Sequence, residues 1–180
     1  NTGSTSPSAC GDADAGYYVS SIAQSSQTAC LAGSYQALTG QASCDDADAG
    51  YYVSSIAQSN QTACLAGTYN PNTGSTSPSA CGDADAGYYV SSIAQSNQTA
   101  CSIGTYQTLT GQSSCDDADV GYNVPLIGQS SQTACSVGTY QSLTGQASCD
   151  DADAGHYVPS TAESSQTACS VGTYQSLTGQ

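Results

Sequence analysis

Ten cysteines recur with a fixed rhythm, and their oxidation to disulfides is the first chemistry this sequence offers. They fall at 10, 30, 44, 64, 81, 101, 115, 135, 149 and 169, so the separations alternate between 20 and 14 residues with one interval of 17. An even number of regularly spaced cysteines points to an oxidising, extracellular compartment. Carboxylates come next. Asp45-Asp46-Ala47-Asp48-Ala49-Gly50 recurs at Asp116-Asp117-Ala118-Asp119 and Asp150-Asp151-Ala152-Asp153, with shorter forms at Asp12/Asp14 and Asp83/Asp85. Clustered hard oxygens ahead of a glycine resemble the opening of a calcium loop, which makes Asp46, Asp48, Asp117, Asp119, Asp151 and Asp153 the calcium candidates. The distal bidentate Glu of such a loop is missing, because the only Glu is Glu163. Solvated turn aspartates are the simpler reading, and no metal site is assigned.

Amides and hydroxyls form the third group. Asn60-Gln61-Thr62 and Asn97-Gln98-Thr99 fit the N-linked glycan acceptor pattern, at a position where other copies carry Ser. Ser and Thr fill 50 of 180 positions. The tracts Thr2–Ser8 and Thr73–Ser79 read as O-glycan acceptors, with Thr2, Thr5, Thr73 and Thr76 as candidates. Catalysis finds no footing. The lone imidazole, His156, stands where sibling copies have Tyr51 and Tyr88, and reads as drift at a tolerant surface position. No Ser-His-Asp or Cys-His arrangement repeats, no Cys-x-x-Cys offers a zinc site, and without Lys or Arg there is no phosphate or oxyanion clamp. The chain is expected not to be an enzyme.

Composition narrows the partners. The net charge is −14 with no Lys or Arg, so neither a phosphate backbone nor an anionic membrane surface is attracted. No apolar run approaches the roughly 18 residues that span a bilayer. Val, Ile and Leu together make only 20 of 180 residues, below what a conventional core requires. The cysteines are expected to supply the missing stability.

The elements that must position these groups follow a repeat of 34 residues, stretched to 37 in one copy by Asn70–Ala80. Residues 1–29 reappear as 72–100 with one change, Ser26 becoming Asn97. The chain therefore divides into a partial repeat (1–29), repeats at 30–63, 64–100, 101–134 and 135–168, and a second partial repeat (169–180), as in a mature product or an excerpt of a longer array. Within each repeat Tyr recurs every 17 residues, at 18, 35, 52 and 69 and again from 89 onward, each closing a Gly-x-Tyr; Asn123 alone breaks the series. Two half-repeat variants thus alternate. No 3.6-residue apolar stripe is present and Gly recurs too often for long helices. Gly50–Ser54 and Gly67–Tyr69 suit strands of two to four residues, while Leu-Thr-Gly-Gln and Asn-Thr-Gly-Ser suit turns. The expected fold is small, disulfide-rich and mostly β or irregular: an elongated, solenoid-like ladder of half-repeats, with Val, Ile and Leu filling a thin seam.

The motif Cys-x-x-Gly-Thr-Tyr…Thr-Gly-x-x-Ser-Cys resembles the cysteine-rich repeats of ephrin-receptor-like ectodomains and the first small module of tumour-necrosis-factor-receptor repeats. That family writes Cys-x-x-Cys-x-x-Gly-x-Tyr at each boundary. Here Ala47 and Gln61 stand where two of its cysteines would be, the two halves of one lost bridge. The resemblance implies Cys30–Cys44, Cys64–Cys81, Cys101–Cys115 and Cys135–Cys149, with Cys10 and Cys169 pairing beyond the segment. Pairing across the constant 20-residue gap, from Cys10–Cys30 to Cys149–Cys169, also fits the spacing and leaves no orphan. Near-identical copies favour a structural extracellular protein, a stalk, sheath or filament that is disulfide-stapled and glycosylated, with copies of itself and covalent glycans as partners. The alternatives are a calcium-dependent adhesin, with calcium as the possible cofactor, and a receptor-like ligand-binding ectodomain.

Overall fold

A computed structural model describes residues 10–180. The chain forms two compact units, one running to Gly82 and taking in Ser92–Asn97, the other made of Asp83–Ser91 and Gln98–Gln180. Each is a succession of two-residue strands paired as antiparallel hairpins, one per 17-residue half-repeat. In the first unit Tyr17–Tyr18 pairs with Thr28–Ala29, Ser34–Tyr35 with Asp45–Asp46, and Tyr51–Tyr52 with Thr62–Ala63. The second unit repeats the pattern five times, from Tyr88–Tyr89 with Thr99–Ala100 to His156–Tyr157 with Thr167–Ala168. The only helical turn among the described residues is Pro78–Ala80, capped by the Ser77 hydroxyl, inside the stretched copy. No helix in the described residues is long and apolar enough to cross a membrane.

The first strand of each hairpin lies where Gly-x-Tyr places it. The second strand was not legible: Asp45–Asp46, Asp116–Asp117 and Asp150–Asp151 read as turn residues, yet all are strands. Asp is a poor strand former, but Cys44 immediately precedes Asp45 and its bridge to Cys30 fixes the register.

Successive hairpins are joined by backbone hydrogen bonds, not by apolar contact alone. In the first unit Gly33 N–H donates to Val53 O and Gly50 N–H to Asn70 O, both at 2.8 Å, while the turn amide of Ala57 donates back to Cys30 O at 2.8 Å. The second unit repeats these with Gly104 to Val124, Gly121 to Gln141 and Gly128 to Cys101. Close stacking explains the glycine of Gly-x-Tyr. Gly50 sits at φ +88°, and a Cβ there would collide with the Ala94 carbonyl oxygen.

The core is thin and strictly periodic. Cys30, Ala47 and Cys64 in the first unit, and Ala84, Cys101, Ala118, Cys135 and Ala152 in the second, are buried. So is the residue that follows each Gly-x-Tyr: Gln36, Val53 and Asn70, then Val90, Gln107, Val124, Gln141 and Val158. The seam therefore takes Val but not the larger aliphatics. Leu31 is 71% exposed, Ile56 61% and Leu65 72%, because close backbone stacking leaves room only for small side chains.

Candidate functional site

Two kinds of hairpin alternate, and they differ in how their ends are closed. In the bridged kind a disulfide sits just outside the strand pair. The bridges are Cys30–Cys44, Cys64–Cys81, Cys101–Cys115 and Cys135–Cys149, with Cα–Cα distances of 5.6–5.8 Å. These are the pairs the resemblance implies; no bridge crosses a 20-residue gap. Cys10 and Cys169 are free, the first exposed and the second half-buried.

In the other kind the equivalent positions are Ala47 and Gln61, and a polar pair does the closing. Asp48 N–H donates to Gln61 Oε1 at 2.7 Å, and Gln61 Nε2 donates to Asp48 Oδ2 at 2.6 Å. The same reciprocal lock closes Asp14–Gln27, Asp85–Gln98, Asp119–Gln132 and Asp153–Gln166, all at 2.6–2.7 Å. One neutral and one charge-assisted hydrogen bond thus stand beside the position of the missing disulfide. Sequence reading had marked Gln61 only as a lost cysteine. The signal was present: a Gln follows Asp14, Asp48, Asp85, Asp119 and Asp153 by 13 residues in every copy.

The calcium candidates are split by this arrangement. Asp48, Asp119 and Asp153 each spend an oxygen on a Gln amide. Asp117 and Asp151 sit instead beside turn glycines, where a Cβ on Gly145 or Gly179 would lie 3.5 Å from the carboxyl carbon; for Asp46 beside Gly74 the distance is 3.9 Å. Among the described residues no three His, Cys, Asp or Glu side chains converge to hold a metal ion. Burial, and then the charges of Asp48 and Asp45, push the Tyr35 hydroxyl above its ordinary range, as burial, Asp119 and Asp116 do for Tyr106.

Bridged hairpins carry a buried amide where locked hairpins carry Val. Gln36 Nε2 donates to Ser43 O at 2.9 Å, and its Oε1 accepts from Leu38 N–H at 3.0 Å. Gln107 and Gln141 repeat both bonds. In the stretched copy Asn70 takes the role, donating to Tyr51 O and Ser75 Oγ and accepting from Asn72 N–H. All four buried amides are satisfied, as burial demands.

Of the glycan candidates, Asn60, Asn97, Thr73 and Thr76 are exposed, and Thr2 and Thr5 lie outside the described residues. His156 is not a surface position. It pairs with Ala168 in a strand, is half-buried, and its Nδ1 is buried without a hydrogen-bond partner. Compared with known proteins, the sequence matches no family model and no curated relative.

Proposed function

We propose that this chain is a structural protein of the extracellular space, a length-building element of a stalk, sheath or filament that is disulfide-stapled and glycosylated. The observation that supports it is sameness: one lock geometry recurs in five copies at 2.6–2.7 Å, and the bridged hairpins between locked ones share a single design. A surface that repeats at each step suits extension better than recognition of one ligand. The bridges and the wholly anionic exterior suit an oxidising compartment in which sugars or like charge hold neighbours apart. The resemblance to receptor-type cysteine-rich repeats lends the same location.

Electron microscopy of native, unreduced material tests this reading. Rods or filaments of uniform width, with peptide mapping that finds glycans on Ser/Thr or Asn, are expected. Isolated compact particles without modification would overturn it. The adhesin alternative separates cleanly, since it requires the melting temperature to rise with calcium and fall with a chelator.

A further inference from the structure

We propose that Asn60 and Asn97 carry N-linked glycans, and that they are accepted there because their hairpins are closed by an Asp–Gln lock in place of a disulfide. The inference rests on the extracellular reading above. In both acceptor tripeptides the middle residue, Gln61 or Gln98, is the lock glutamine itself. Asn60 is exposed, its amide donates only to the neighbouring Ser59 hydroxyl at 3.2 Å, and Thr62 is exposed on the outer strand. Asn97 repeats the contact with Ser96 at 3.1 Å.

The bridged hairpins show what would close such a site. The residue equivalent to Asn60 is Ser43, whose carbonyl is held by the buried Gln36 amide at 2.9 Å and whose successor, Cys44, is covalently fixed. At Asn60 both restraints are gone: Val53 replaces the Gln and has no amide, and Gln61 holds by hydrogen bonds that open reversibly. A transferase needs the tripeptide pulled clear of its strand partner, which a lock permits and a bridge does not. In the transfer Asn60 Nδ2 loses a proton and bonds to the anomeric carbon of a lipid pyrophosphate-linked oligosaccharide. The bond from that carbon to the pyrophosphate oxygen breaks, and the lipid pyrophosphate leaves.

The test is expression of the full 180-residue chain through a secretory pathway that performs N-glycosylation, with site occupancy read by peptide mass spectrometry. Wild type is expected to be occupied at Asn60 and Asn97. Ser131→Asn, which adds an acceptor to a third locked hairpin, should gain a glycan. Ser43→Asn/Asp45→Thr, which places an acceptor in a bridged hairpin, should stay largely bare. Ala47→Cys/Gln61→Cys keeps an Asn-Cys-Thr acceptor while installing a bridge, and should lose most occupancy at Asn60 with Asn97 unchanged. Bare Asn60 and Asn97 on secreted, bridged protein would overturn the inference and leave the extracellular reading standing. Equal occupancy of bridged and locked acceptors would overturn the role of the lock. A chain that stays reduced inside the cell would overturn both readings.

Discussion

At the residue scale the molecule stores strain in one repeated place. Ala23, Ala57, Ala94 and Ala162 lie at φ of +58° to +62°, in the turn where sibling half-repeats place Gly40, Gly74, Gly111, Gly128, Gly145 and Gly179. An L-residue in the left-handed region costs about 1–2 kcal/mol, and part of that returns through the lower entropy of an unfolded Ala. Ala57→Gly is therefore expected to stabilise the oxidised protein by about 0.5–1 kcal/mol, seen as a rise in melting temperature. Tyr35 and Tyr106 make a second residue-scale prediction. Their hydroxyls are raised above the ordinary value of 10.0 by burial and by nearby aspartates. The unfolded chain therefore releases these protons first. The stability they contribute is fully present below about pH 10 and is lost as pH rises through the elevated folded values. Denaturant titrations between neutral and alkaline pH should show that loss, and Tyr35→Phe should blunt it.

At the element scale the unit is a hairpin with an interchangeable clasp. Removing the lock with Gln61→Ala is expected to cost about 1 kcal/mol, since its two bonds are exposed and water replaces them. Removing a bridge with Cys101→Ala/Cys115→Ala is expected to cost about 3 kcal/mol for a loop of this length. Paired urea titrations would check the ranking; a Gln61→Ala loss equal to the bridge loss would contradict it. What the sequence disclosed at this scale follows from local chemistry. Gly-x-Tyr and Leu-Thr-Gly-Gln announce their own conformation, because glycine at positive φ has few substitutes. Asp45–Asp46 announces nothing, since its strand depends on a partner eleven residues away and on a bridge. The lock joins residues 13 apart with no local signature. Leu31 and Ile56 mislead outright, because apolar type suggests burial while stacked backbones leave them no space.

At the scale of the whole molecule the charge is one-sided: 14 carboxylates, no Lys and no Arg. Every long-range electrostatic term in the folded chain is repulsive, and screening falls within about 10 Å at 0.1 M salt. Melting temperature is expected to rise with sodium chloride from low to moderate ionic strength, where a protein held by ion pairs would fall. Calorimetry across a salt series decides between the two.

The alternation of bridge and lock also governs how such a chain reaches its own fold. Near-identical repeats surround every cysteine with almost the same neighbours, so a thiol has little local information with which to distinguish its partner from a copy's. Eight bridged cysteines already admit on the order of a hundred pairings. Were Ala47, Gln61 and their equivalents cysteines too, right and wrong partners would lie at similar separations and scrambling would multiply. Giving every second hairpin a clasp that neither oxidises nor exchanges leaves each opening cysteine 14 or 17 residues from its mate and 20 from the cysteine behind it. The hydrogen-bonded hairpins thereby act as spacers that keep oxidative folding in register.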